Sequence, residues 1–178
     1  MVTQSSLNTT LFDITPINPN LVNSIDQVYL LRQTLLQFFC HQRSQQLIFI
    51  DEIERARSIV AMVDVLWRSS IEVKVIILSE TSKVLEQIEK SFKLHTSLDL
   101  NSLSNFDNIQ KTIHFIRYQN IEKKFTATET KQFFDQFDLI ISDDLEHEKH
   151  DLIKRRLKFH RAWLLNTKIL QTEQHTML

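Results

Sequence analysis

Two stretches decide how this chain folds: Gln45-Gln46-Leu47-Ile48-Phe49-Ile50-Asp51-Glu52-Ile53-Glu54-Arg55-Ala56-Arg57 and Phe137-Asp138-Leu139-Ile140-Ile141-Ser142-Asp143-Asp144-Leu145-Glu146. Each is a short apolar run that ends abruptly in acids and leads into a helical pattern. An apolar run bounded this way predicts a strand buried on both faces of a parallel sheet. In open parallel sheets ligands bind beyond the carboxyl ends of the strands, which is where Asp51, Glu52, Asp143 and Asp144 would lie.

The rest of the chain repeats the alternation. Ser24 is placed to cap a helix over Ile25–His41, with Val28, Leu31, Leu35 and Phe38 at helical spacing. A second helix is expected over Glu54–Trp67. Strand two is expected at Val73–Leu78, followed by a helix through Leu94 capped by Thr81 or Ser82. Residues 95–111 are polar and mixed, with a short helix expected within Asn101–Asn108. Strand three is expected at Thr112–Arg117, a helix over Thr128–Phe134, and strand four at Asp138–Ser142. A charged helix over Leu145–Lys158 and a fifth strand at Ala162–Leu165 complete the series. Strands alternating with helices predict an α/β three-layer sandwich with a mainly parallel sheet of about five strands. Residues 1–20 read as an N-terminal arm, 21–170 as a single domain and 171–178 as a tail.

Composition narrows the chemistry. With 178 residues, 42% apolar content and a formal net charge of -1, the chain is large enough for a core and has no global field for nucleic acid or membranes. No apolar run is long enough to span a bilayer, and the first ten residues lack the basic and apolar regions of a signal peptide. A single cysteine, Cys40, excludes a disulfide framework within the chain and makes a cytoplasmic setting the default; beside Phe38 and Phe39 it reads as a buried thiol. Trp67 and Trp163 read as core or interface aromatics.

Glycine is absent. Positions that need φ > 0 must therefore be filled by Asn or Asp, or avoided. No glycine-rich phosphate loop and no dinucleotide fingerprint can exist here.

The order of these pieces resembles the first RecA-like motor domain of superfamily-two helicases, closest in look to the motor subunit of type I restriction enzymes. Arg32 and Gln33 precede the first strand, as an Arg and Gln do in that family. Arg57–Leu66 is similar to the helix leaving the phosphate loop, and Val73–Gln87 to the next strand, polar turn and helix. Ile116-Arg117-Tyr118-Gln119 looks like a strand ending in a Tyr-Gln pair. Phe137–Ile141 precede Asp143-Asp144 as similar residues precede the family's Asp-Glu box, and Asn166-Thr167 fall near its third motif.

The departures from that family bear on function. The phosphate loop would fall on Asp51–Ala56. Glu52 and Glu54 stand where the resemblance requires glycines, Arg55 where it requires lysine, and Ala56 where it requires a hydroxyl. Glutamates there block the approach of phosphate to backbone N–H groups and add like charge, worth about 1–4 kcal/mol per contact at effective dielectrics of 80 to 20. Ala56 cannot ligate Mg²⁺. In the acidic box Asp144 is shorter than Glu, and Glu146 replaces His. The residues given also stop before any second motor domain, the other half of the ATP cleft that the resemblance implies. The expectation is a non-catalytic, helicase-like domain with no cofactor, serving as a protein-binding or scaffold subunit, with a nucleic-acid-handling assembly as its setting.

Two alternatives from other classes stay open. Asp51, Glu52, Asp143 and Asp144 could hold Mg²⁺ for catalysis, with Asp143 and Asp144 as the principal ligands; the plainer reading is that they cap the helices that follow. Lys149, Lys154, Arg155, Arg156, Lys158 and Arg161 form the one basic stretch and could meet a nucleic-acid backbone, against a solvated helix end as the plainer reading. The cluster Glu146, His147, Glu148, His150 has metal-like spacing but lacks a two-histidine arrangement and reads as a solvated face.

Overall fold

A computed structural model describes residues 17–40, 45–69, 73–102, 112–145 and 149–166, the side chains of 38–40 and 101–102 excepted. In chain order the elements are α1 (Ile25–Cys40), β1 (Gln45–Phe49), α2 (Arg55–Arg68), β2 (Val75–Ser79), α3 (Ser82–His95) and β3 (Leu100–Ser102). Then follow β4 (Ile113–Arg117), α4 (Tyr118–Lys124), α5 (Ala127–Phe134), β5 (Leu139–Asp143), α6 (Asp151–Leu157) and β6 (Ala162–Asn166). All strand pairs are parallel, in the order β1-β6-β5-β2-β4-β3.

The three layers follow from period-two burial. In β2, Val75 and Ile77 join one core with Leu31 and Leu35 of α1, much of α2, and Leu85, Ile88 and Phe92 of α3. Ile76 and Leu78 point the other way, into a second core with Tyr118 and Ile121 of α4, Phe133 and Phe134 of α5, and Ile153 and Leu157 of α6. Helices on both faces are what parallel crossovers impose. Trp163 is fully buried, while Trp67 is half-buried against the first core. No helix among the described residues is long and apolar enough to cross a membrane.

Local capping sets several helix ends, two of them as expected. Ser24 Oγ accepts the N–H of Gln27 at 3.2 Å, and Thr81 Oγ1 accepts that of Val84 at 3.4 Å. Thr126 and Glu129 form a reciprocal capping box at the start of α5.

The structure departs from expectation in four places. β1 is not buried on both faces: it lies at the sheet edge, with Gln46 and Ile48 buried and Leu47 and Phe49 exposed. The mixed stretch yields an extra three-residue edge strand, β3, which overlaps the first two residues of the span where a helix was expected; the rest of that span lies outside the described residues. Helix α4 was missed because its seven residues are too few to establish a period. Helix α6 begins only at Asp151. His150 precedes it at φ 59, outside the helix. Glu146, His147 and Glu148 lie outside the described residues.

Candidate functional site

The bend after β1 is closed on itself. Asp51 Oδ1 accepts the N–H of Ile53 at 3.0 Å. The carbonyl of Asp51 accepts the N–H of Glu54 at 3.0 Å, and that of Glu52 accepts the N–H of Arg55 at 3.4 Å. Three consecutive backbone donors are thus spent inside the turn rather than converging on an anion. Asp51 acts through an Asx turn, not as the cap of α2. Glu54 stands at the N-cap with no side-chain cap bond; its carboxylate instead accepts from Asn23 Nδ2 at 3.4 Å, and Arg57 donates to Asn23 Oδ1 at 3.5 Å. Gln27 Nε2 donates to Ser58 Oγ at 2.8 Å, so the start of α1 is pinned on the start of α2. Glu52 and Ile53 are exposed, and Ala56 is half-buried.

Arg55, the first residue of α2, carries its charge across β6 to the end of β5. Its Nη1 lies 3.0 Å from Asp143 Oδ1 and 3.6 Å from Asp144 Oδ2. The side chains of Arg55 and Asp143 are only 7% and 5% exposed, so this is a buried ion pair. The other carboxylate oxygen, Asp143 Oδ2, accepts from Ser79 Oγ at 3.1 Å. Both oxygens of Asp143 therefore have protein partners.

Burial pushes the Asp143 carboxyl up to about 6; the nearby Asp144 charge acts in the same direction, while Arg55 and Ser79 pull against it. A carboxyl-detected NMR titration is expected to show Asp143 with a midpoint near this value. A midpoint in the ordinary range around 4 would contradict this burial-dominated balance.

Tyr118 fixes the backbone that presents the acids. Its hydroxyl donates to the carbonyl of Asp143 at 2.7 Å and lies 2.7 Å from Ser142 Oγ. The phenol has one proton and the carbonyl can only accept, so Ser142 is the donor in the second bond. Burial drives the Tyr118 hydroxyl far above the usual tyrosine range, which keeps that proton in place. Past the strand, Asp144 adopts φ 39 while its N–H reaches the carbonyl of Leu165 at 3.0 Å.

The second positive-φ residue is His150, where glycine-free composition led us to expect Asn or Asp. Its Nδ1 lies 2.7 Å from Glu122 and its Nε2 2.5 Å from Glu80, with the ring 4.8 Å from that of Tyr118. Two carboxylates, which accept only, hold the imidazole from both sides and offset the backbone strain. Ser79, Glu80 and Glu122 were not singled out as site residues, Tyr118 was marked only by the Tyr-Gln resemblance, and His150 only in a cluster read as a solvated face. Their partners lie 24 to 70 positions away, beyond any sequence period.

The remaining sequence candidates are dispersed. Among the described residues no three His, Cys, Asp or Glu side chains gather at metal-binding distance, so Asp51 and Glu52 do not join Asp143 and Asp144 in one ligand set. In the basic stretch Lys149, Arg155 and Lys158 are exposed, whereas Lys154, Arg156 and Arg161 are half-buried. Arg32 is exposed and Gln33 half-buried on α1, and the carbonyl of Asn166 accepts the N–H of Ile50 at 3.3 Å.

Comparison with known proteins gives likenesses among solved structures. No protein-family model matches the chain, and no curated protein matches it. Among solved structures, the fold is similar to a nuclease-deletion mutant of the Type ISP restriction-modification enzyme LlaGI in complex with a DNA substrate mimic. The TM-score is 0.59 at 15% identity, over 82% of this chain. With the parallel strand order and two-sided helices, that likeness decides the architecture. The fold is RecA-like. The chain spans 17% of the length of that enzyme. Within the RecA-like sheet, Arg55 and Asp143 stand at the carboxyl ends of the strands, where such sheets bind ligands.

Proposed function

We propose that this chain is a helicase-like domain whose nucleotide site is filled by its own side chains, and that it works as a protein-binding or scaffold subunit. The observation that carries this reading is the Arg55–Asp143 pair. Carried over from the resemblance, Arg55 stands at the phosphate-binding lysine and Asp143 at the acid of the metal box. Here each is the other's partner, at 3.0 Å and out of solvent. A phosphate or Mg²⁺ would have to separate them and leave a buried charge uncompensated until it bound. The self-bonded turn Asp51–Arg55 supports the same reading, because its N–H groups are already satisfied. Two glutamates beside them, Glu52 and Glu54, oppose a polyphosphate by charge.

Calorimetric titration with MgATP tests the proposal. The expected result is no saturable heat up to about 1 mM, a limit equivalent to roughly -4 kcal/mol. Mg²⁺-dependent binding in the micromolar range would overturn it. The Mg²⁺-enzyme alternative has less support, since Asp143 would have to exchange both Arg55 and Ser79 for the metal.

A nucleic-acid-handling setting is the second part of the proposal. It draws on the structural neighbour, which is a restriction-modification enzyme bound to a DNA mimic. Lys149, Arg155 and Lys158 are the exposed cations that would meet phosphate. Their charge contribution would appear as a fall in log K with log salt, which flattens when they are neutralised.

A further inference from the structure

Helix α6 is tied to the rest of the domain by a histidine at each end. At its start, His150 Nδ1 lies 2.7 Å from Glu122 Oε1 on α4, and Nε2 lies 2.5 Å from Glu80 Oε2 in the turn after β2. Past its end, His160 Nε2 lies 2.8 Å from Asp135 Oδ1 at the C-cap of α5, and Nδ1 lies 3.0 Å from the carbonyl of Arg156. All four partners are carboxylate or carbonyl oxygens, which only accept. A neutral imidazole has one N–H and one lone pair, so it satisfies one such partner and turns its lone pair on the other. Only the imidazolium form donates from both nitrogens. Both side chains are 9% exposed, so water has little room to stand in as the second donor.

The helix between the two histidines depends on them. Seven residues are too few for a helix to persist on its own. Ile153 and Leu157 are its buried residues. His150 sits at φ 59, a backbone state that a non-glycine residue keeps only while its surroundings hold it.

We propose that α6 is a proton-operated latch: it docks through two doubly protonated imidazoles, His150 and His160, and loosens when either ring gives up a proton. Docked α6 then holds more protons than released α6, so rising pH favours release. The facing groups set this sign. Around His150 they are the Glu80 and Glu122 carboxylates and the Tyr118 ring at 4.8 Å, whose hydroxyl stays protonated through burial. Around His160 they are Asp135, whose other oxygen lies 3.8 Å from Lys131, and the Phe134 ring at 5.9 Å. Lys149 and Asp151 flank His150 in the chain, and Arg161 follows His160. With two carboxylates at His150 and one shared carboxylate at His160, the His150 end is the stronger tie. The latch would decide whether Arg155 and Lys158, the exposed cations of α6 and its C-cap, are presented from a fixed position.

Native-state hydrogen exchange on the full chain at pH 6 and pH 9, corrected for the intrinsic pH dependence of each amide, tests the latch. The amides of residues 154–157 report on α6. Those of Ile77 and Ile141, in central strands, report on overall stability, which Asp143 also makes pH-dependent. Protection at 154–157 is expected to fall about tenfold or more relative to that reference as pH rises. Imidazole nitrogen spectra, assigned with the single variants His150→Gln and His160→Gln, should show ring N–H protons being lost over the same interval. Glutamine offers a donor and an acceptor, as a neutral imidazole does. The double variant His150→Gln/His160→Gln is therefore expected to show the lower protection at both pH values, with the reference amides still slow. A wild-type ratio that does not change with pH would overturn the proposal. So would a fall that persists undiminished in the double variant. If the double variant does not fold, the wild-type spectra decide: a fall in protection without a change in ring protonation also overturns the latch.

Discussion

Arg55→Met is expected to destabilise the protein by about 3–5 kcal/mol at pH 8, the range for removing one partner of a buried pair. At pH 5 the loss should be much smaller. The reason is the charge left behind. Asp143 is buried between β6 and β2, and without Arg55 its carboxylate keeps only the Ser79 hydroxyl and a repulsive Asp144 nearby. Even with Arg55 present, burial holds the Asp143 carboxyl up to about 6. The ordinary unfolded value is about 3.9. The folded state therefore binds the proton more tightly than the unfolded one. That contribution is fully present below about pH 4 and is lost as pH rises through about 6, for roughly 3 kcal/mol from this one group. Removing the guanidinium raises the folded value further and deepens the loss at alkaline pH.

Denaturant unfolding at pH 5 and pH 8 measures both arms. The double variant Arg55→Met/Asp143→Leu should recover most of the stability at pH 8, because it removes both charges rather than orphaning one. Equal stability of wild type and Arg55→Met at pH 8 would show that the pair is not the buried lock described above.

The second large effect is expected at Tyr118. Tyr118→Ala should cost about 3–5 kcal/mol, the range for deleting a buried aromatic ring. Tyr118→Phe should cost about 1–3 kcal/mol, since it leaves the Ser142 hydroxyl and the Asp143 carbonyl without their shared partner. The two variants separate packing from hydrogen bonding. The phenylalanine variant also bears on the site, because the hydroxyl anchors the backbone that aims Asp143 at Arg55. Its Asp143 titration is expected to move if that anchor positions the carboxylate. An unchanged midpoint together with unchanged stability would reduce Tyr118 to a space-filling residue.

Much of the fold was legible because it rests on local signals. The β2 run Val75–Ser79 and the β5 run Leu139–Asp143 are continuous, apolar and short, and each is buried on both faces. Helices α1, α2 and α3 show their apolar stripes at helical spacing, and Ser24 and Thr81 mark two starts. The parallel three-layer arrangement follows from that alternation, because a strand covered on both faces needs crossover helices on both sides. Where the signal was weak the reading failed. Helix α4 has seven residues, and β3 has three.

The candidate site was legible only as residue types. Arg55 and Asp143 were marked by their places after two strands, yet nothing within either stretch says that they touch. They are 88 positions apart, and their contact depends on strand order, since β6 lies between their strands. The same strand order leaves β1 at the edge, so an apolar run that resembles a buried strand has one bare face. Sequence alone determined the elements, their alternation and the absence of a glycine loop, because those depend on neighbours a few residues away. The tertiary structure decided which charges neutralise each other, which hydroxyls hold them and which strand lies at the sheet edge, because those depend on how distant strands are ordered in the sheet.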